Sequence, residues 1–222
     1  GQYFGGATLF LDSRGSTEAI ATERTLVAYV EEFNFPRFLS VDRSIEKKMV
    51  LEAKRRLLEA YRNHKGTAFF ADMNDGALKV FSEQSYLQPV KPSDLIYGEG
   101  EEPPAFFVVA DGEVFAGLSD EIGTTRPPVA EWSLQVGQYF GEVGLMLSDR
   151  PQLTTFRAGP DRCTLLALPR SAFLQLFGND TSLQAELQIA REGVETSLSA
   201  ILDHKGARAL FTEYLRRTRG ER

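Results

Sequence analysis

Apolar residues recur every four positions from Ile45 through Met49, Ala53 and Leu57 to Tyr61, and Val50 and Leu58 widen the stripe. That period predicts an amphipathic helix over 42–64, reinforced by Glu52 four residues before Arg56. The helix ends near Gly66. A short helix carrying Phe69, Phe70 and Leu78 comes next, broken at Asn74-Asp75-Gly76. From Leu87 to Leu168 the pattern shortens to strands. Leu95-Ile96-Tyr97 runs into a Gly98/Gly100 turn. Phe106-Phe107-Val108-Val109 and Glu113-Val114-Phe115-Ala116 flank Asp111-Gly112, a hairpin signal. Residues 124–128 read as a loop; Trp132 to Val136 alternates, as does Cys163 to Leu168 in part. Helix returns at 170–177 and 181–203. In the second of these, Leu183, Leu187, Ala190, Val194, Leu198 and Ile201 are three or four apart, and Thr181 with Gln184 fits a capping box. Residues 206–222 read as a further helix. Short strands punctuated by Gly and Pro and bracketed by helices predict a mostly β fold with α: a β-jelly-roll barrel with flanking helices.

The chain also repeats itself. Gly1-Gln2-Tyr3-Phe4-Gly5-Gly6 returns as Gly137-Gln138-Tyr139-Phe140-Gly141-Glu142, and the adjoining residues agree in texture, ATLFLDSRG at 7–15 against VGLMLSDRP at 143–151. His64-Lys65-Gly66 returns as His204-Lys205-Gly206, and these are the only two histidines. Two markers in near register argue for tandem units of roughly 140 residues, an ordinary domain size. Residues 1–41 then form the C-terminal half of a first unit, 42–65 a connecting helix, and 66–204 a complete second unit. Residues 205–222 form a helical extension or the start of a further module. The first unit's strand-like stretches, Leu9-Phe10-Leu11 and Thr25 to Val30, lack barrel partners. They are expected to pair with another chain in a homo-oligomer, or to be a proteolytic remnant. The opening Gly1-Gln2-Tyr3-Phe4, with no Met and no signal pattern, reads as a processed or excised fragment.

Composition narrows the class. Of 222 residues, 25 are Lys or Arg and 31 are Asp or Glu, a net charge of −6, with 42% hydrophobic residues. This is ordinary globular composition and excludes a disordered tail or a basic nucleic-acid wrapper. One cysteine, Cys163, excludes an intrachain disulfide and a Cys-based zinc site, and suits a reducing, cytoplasmic setting. No apolar run approaches the ~18 residues of a membrane span. Between Asp94 and Glu142 there are ten acids and one base, a net of −9, which repels nucleic acid and anionic membrane. Residues 42–65 hold eight bases and four acids, and 205–222 six bases and two acids, each a net of +4. The first of these basic segments is expected to meet the acidic barrel electrostatically.

Catalytic chemistry finds no support. There is no nucleophile elbow, P-loop or dinucleotide fingerprint, and no His–carboxylate cluster of the kind a metal-binding jelly roll needs. The expectation is no enzyme, no metal and no cofactor. The informative stretch is Phe140-Gly141-Glu142-Val143-Gly144-Leu145-Met146, ahead of Pro151. Glycines allow close backbone approach and expose N–H groups, and a neighbouring carboxylate can accept from ribose hydroxyls. That suits a sugar-phosphate cradle, with a turn glycine beside a solvated Glu as the bland alternative.

Residues 66–202 resemble the cyclic-nucleotide-binding domain of cAMP-dependent kinase regulatory subunits, cGMP-dependent kinases and bacterial CRP-like regulators. The resemblance is carried by Phe69-Phe70-Ala71-Asp72-Met73, Ile96-Tyr97-Gly98-Glu99-Gly100, Phe106 through Val114, and Leu165 to Phe173. It rests above all on Tyr139-Phe140-Gly141-Glu142 followed by Pro151. It implies a ligand site of Phe140, Gly141, Glu142, Val143, Gly144, Leu145, Gln152, Leu153 and Thr154. Glu142 is to hold the ribose 2′-hydroxyl, and the backbone N–H groups near Gly144 and Leu145 are to face the cyclic phosphate of cAMP or a related purine nucleotide. The terminal helix would then carry a signal to a kinase or other effector, with Leu198, Ile201 or Leu202 as an apolar lid. The chain departs from the family where an Arg after the Pro pairs with the phosphate. Here Gln152 stands there, with Arg150 before the Pro, and the loop is one residue longer. Gln is neutral and cannot replace guanidinium pairing. Leu153 argues mildly against cGMP. In the first unit Gly6 replaces the expected Glu. The resemblance therefore leaves a plain nucleotide sensor beside a degenerate domain that binds an uncharged nucleoside or serves as a protein-interaction scaffold.

Overall fold

The computed structural model describes residues 4–5, 10, 18–63, 68–71, 73–120, 122–123, 127–147, 152–192 and 196–219. Most of the first Gly-aromatic hexamer, the His64-Lys65-Gly66 marker, Arg150 and Pro151 lie outside them. Residues 18–30 have no helix or strand and are exposed, Leu26 almost completely at 99%.

Helix α1 (Phe35–Val41) leads into α2 (Arg43–Asn63), followed by α3 (Ala68–Ala71) and α4 (Asp75–Gln84). The expected stripe on α2 buries Ala53, Leu58 and Tyr61, and Arg56 pairs with Glu52 at 2.9 Å. Asn74 does more than break a helix: its side chain accepts from the Ala77 amide at 2.9 Å and so starts α4. Polar contacts from Lys54, Tyr61 and Arg62 tie α2 to the rest of the domain. Lys54 Nζ donates to the Ser85 carbonyl at 2.5 Å, Tyr61 Oη to the Val109 carbonyl at 3.1 Å, and Arg62 pairs with Asp75 at 2.6 Å.

Among the described residues, eight strands form two four-stranded antiparallel sheets. The first contains β1 (Tyr86–Val90), β8 (Cys163–Pro169), β3 (Ala105–Asp111) and β6 (Tyr139–Phe140), in that order. The second contains β2 (Leu95–Tyr97), β7 (Thr154–Ala158), β4 (Val114–Leu118) and β5 (Ala130–Leu134). This is the antiparallel jelly-roll sandwich with flanking helices that the pattern predicted. The Asp111-Gly112 turn, however, is not a hairpin. β3 pairs with β8 and β6, whereas β4 pairs with β5 and β7, so the turn carries the chain from one sheet to the other. Gly112 has φ 77°, and a Cβ there would sit 2.3 Å from the Arg162 carbonyl oxygen. The glycine serves this crossing rather than a two-residue loop.

β3 is buried on both faces, which explains its continuous apolar run. Phe107 and Val109 join Tyr97, Val114, Phe140, Phe156, Leu165 and Ala167 inside the sandwich. Phe106 and Val108 point the other way, onto Leu58, Phe70, Phe81, Leu166 and Phe173 from the helices and β8. Cys163 is buried with the first group, and burial, with Asp111 nearby, pushes its thiol up to about 11. Trp132 is 41% exposed on the edge strand β5 and so sits at the rim.

Helix α5 (Glu142–Met146) follows β6, and α6 (Arg170–Phe177) follows β8. The single helix expected over 181–203 is two: α7 (Thr181–Glu192) and α8 (Leu198–Asp203). Ser197 starts the second, its side chain accepting from the Ala200 amide at 3.2 Å. Such a serine competes with a continuous helix by offering its own cap. The expected Thr181–Gln184 box is also replaced. Asp180 Oδ1 accepts from Leu183 N at 3.0 Å, and Gln184 Nε2 donates to the Gly178 carbonyl at 2.8 Å. The carboxylate one residue earlier is the better placed acceptor. The last helix is α9 (Lys205–Arg219). His204 Nδ1 accepts from Ala207 N at 2.9 Å, so the second histidine is a helix cap. No helix among the described residues is long and apolar enough to cross a membrane.

Candidate functional site

The Gly-aromatic stretch folds into a tight turn between β6 and α5. Phe140 is buried between the sheets, stacked on Phe107 at 5.1 Å and on Phe156 at 4.6 Å. Gly141 then takes φ 97°, where a Cβ would lie 2.7 Å from the Ala105 carbonyl oxygen. Only glycine reverses the chain there without strain. Leu145, 2% exposed, anchors α5 in the core under the helices. Gly144 lies against Pro103, whose Cδ would be 2.7 Å from an added Cβ, and Gln152 Oε1 would be 3.5 Å from the same point. The predicted site residues 140–145 and Gln152 therefore do come together.

Glu142 is the first residue of α5. Its residue surface is half-buried but its carboxyl oxygen Oε2 is fully enclosed, with no hydrogen-bond partner among the described residues. Burial pushes the carboxyl up to about 7, and its own backbone N–H pulls weakly the other way. It follows that the group is part protonated near neutrality, unlike a solvated Glu. The Leu145 amide donates to the Gly141 carbonyl at 3.1 Å within the helix. It is thus already committed to α5, as the Glu142 amide is to its own carboxyl.

Gln152, Leu153 and Thr154 enter β7 beside this turn. The Gln152 carbonyl accepts from Gly100 N at 2.7 Å and the Leu153 carbonyl from Ser119 N at 2.9 Å, while Thr154 faces Leu118 across β7 and β4. Glu99 Oε1 accepts from Gly123 N at 2.9 Å. Hydrogen bonds from Ser119 and Gly123 hold that carboxyl below its usual range. It ties this loop through Oε1, while its Oε2 is enclosed without a partner among the described residues. The proposed lid residues Leu198 and Leu202 are 55% and 41% exposed.

Two residues packed around this turn were not singled out by the sequence pattern. Pro103 packs on Gly144, and Tyr97, 3% exposed, lies inside the sandwich with an Oη that has no partner among the described residues. Burial, and then the neighbouring Glu142 carboxylate, push the Tyr97 hydroxyl upward; the same two causes, joined by Glu186, raise Tyr139 to about 12. Tyr97 looked like an ordinary strand residue, and only the enclosed position of its hydroxyl distinguishes it. A cavity of about 630 Å³ opens elsewhere, over the outer face of the second sheet at Phe115, Gly117, Glu131 and Arg157.

Comparison with known proteins places this architecture. Residues 87–180 match the family model of the Cyclic nucleotide-binding domain. The fold is that of the regulatory domain of Toxoplasma gondii PKA, solved with cAMP. The TM-score is 0.51 at 23% identity, over 63% of this chain and 50% of that one. In sequence the chain is 27% identical over 171 residues to human cGMP-dependent protein kinase 2, and equally to the mouse and rat enzymes. The match takes in 77% of this chain but spans only 22% of the length of those kinases.

Proposed function

We propose that residues 66–204 are a regulatory ligand-sensing domain. A purine nucleotide or nucleoside in the barrel biases the position of the helical stretch 181–203, α7 and α8, and thereby controls an effector such as a kinase, with no catalytic step in this chain. The observation that carries the reading is Glu142. The left-handed Gly141 is followed by a carboxyl in an enclosed position whose Oε2 has no partner among the described residues, and the family resemblance puts the ribose contact at this Glu. Coupling then takes the ordinary two-state form, with the ligand favouring one helix arrangement.

Residues 1–41 we assign to the C-terminal half of a preceding unit, and α2 to the connection between units. Gly5 supports this, with φ 84° against 97° for its counterpart Gly141. A second reading, favoured by Gln152 beside Gly144, is that the domain has lost cyclic-phosphate binding and takes an uncharged nucleoside or serves as a scaffold. Calorimetry with cAMP, cGMP and adenosine separates the readings. The sensor reading expects binding of at least one, lost in Glu142→Ala; silence from all three leaves the scaffold.

A further inference from the structure

The recurring His-Lys-Gly triplet has a physical role that ligand sensing does not use. Its second copy lies where α8 ends and α9 begins. His204 has extended backbone, φ −84° and ψ 117°, and its N–H donates to the Ala200 carbonyl at 3.0 Å, which closes α8. Its carbonyl accepts from Arg208 N at 2.9 Å, the first bond of α9, and its Nδ1 accepts from Ala207 N, also at 2.9 Å. One residue thus ends one helix and starts the next, with its ring as the N-cap. Gly206 makes room for that ring: a Cβ there would lie 3.3 Å from His204 Cε1 and 3.7 Å from Nδ1. Glycine is otherwise a poor residue inside a helix. The first copy of the triplet, 64–66, lies outside the described residues.

A ring nitrogen differs from the other caps in one chemical respect. Ser197 on α8 and Asn74 on α4 accept through a hydroxyl and an amide oxygen, which do not titrate near neutrality. Imidazole accepts at Nδ1 only while that nitrogen is bare; in imidazolium both nitrogens carry protons and can only donate. Histidine is also the side chain whose charge changes between about pH 5 and about pH 8. Proton uptake turns the acceptor facing the Ala207 N–H into a second donor. It also sets a positive charge at the positive end of the α9 dipole. Both effects act in the same direction. The capped form excludes a proton that the open form accepts, so the first turn of α9 is favoured at higher pH and lost as pH falls.

The charged groups around the ring do not replace the cap. Asp203, which precedes it, takes the Ser199 hydroxyl at 3.5 Å. Lys205 and Arg208 follow on α9, and both oppose a further positive charge. Glu186, on α7 packed against α8, acts on Tyr139.

We propose that His204 is a pH-dependent cap at the α8–α9 junction: with a neutral ring it starts α9 where α8 ends, and proton uptake releases that first turn. The junction directly follows the stretch 181–203, so the ring decides whether α9 leaves that stretch in a fixed direction. None of this depends on what the barrel binds.

Hydrogen exchange read by NMR on the whole chain tests the cap at the Ala207 N–H, with the Cα shifts of residues 205–208 reporting the helix. From about pH 8 to about pH 5 the Ala207 protection factor, which corrects for the intrinsic pH dependence of exchange, should fall about fivefold, the size of one N-cap. The Cα shifts should move toward coil values in parallel. His204→Asn keeps a capping oxygen that does not titrate, and should hold the helical values at both ends of the range. His204→Ala should show the parent's acid values throughout. His64→Asn, at the only other histidine, should leave the transition in place. Protection that does not change with pH overturns the assignment. So does a transition that survives in His204→Asn or disappears in His64→Asn, or a His204→Ala chain that matches the parent at about pH 8.

Discussion

Glu142→Gln exchanges a titrating carboxyl for a neutral isostere in the same enclosed position, and its consequence for stability can be worked out in sign and size. An ordinary Glu has a pKa of 4.5, and burial raises Glu142 to about 7. Between those values the folded chain holds a proton that the unfolded chain has released, so stability falls as pH rises. The penalty is absent below about 4.5 and complete above about 7. At about 1.36 kcal/mol per pH unit it amounts to about 3 kcal/mol. The ionisable neighbours do not obscure it: Tyr97 and Tyr139 are both raised and stay neutral throughout this range. Urea unfolding of both proteins, followed by far-UV circular dichroism from about pH 4.5 to about pH 8, isolates the effect as a difference. The variant should gain on the parent by about 3 kcal/mol across the range, whatever constant offset the amide introduces. A difference that stays flat with pH would refute the claim that the carboxyl is held away from water and countercharge.

Other substitutions probe the frame around that carboxyl. Gly141→Ala forces a side chain into a left-handed turn 2.7 Å from the Ala105 carbonyl oxygen, and should cost about 1–3 kcal/mol in thermal unfolding; an unchanged melting temperature contradicts it. Gln152→Arg places a guanidinium beside Gly144 and should strengthen cAMP about 10- to 100-fold in calorimetry while leaving adenosine nearly unchanged; equal gains for both would remove the argument from charge. Asp180→Ala should destabilise by about 1 kcal/mol, because Asp180 caps α7, and Thr181→Ala should do little; the reverse order would restore the capping box at Thr181. Phe106→Ala, at a fully buried position between β3 and the helices, should lose about 3–5 kcal/mol in chemical denaturation, and a loss under about 1 would show that the helical layer packs loosely.

Much of this molecule is legible in short windows of its sequence. The four-residue recurrence from Ile45 to Tyr61 reports α2. The apolar run at Phe106 to Val109 reports a strand buried on both faces, and Gly141-Glu142 reports a turn that only glycine can make with an acid behind it. Each depends on neighbours within a few residues, so side-chain type and period suffice. Tertiary structure decided what depends on distant partners. Asp111-Gly112 has the composition of a hairpin, but β3 found β8 and β4 found β7, so the turn crosses between sheets. The periodicity over 181–203 continues, yet the chain divides at the cap supplied by Ser197. Tyr97 carries no signal of its own as a strand residue. Its hydroxyl is closed away from water only because β2 packs against β6 and β7, and enclosure is a property of the whole sandwich rather than of any stretch of chain.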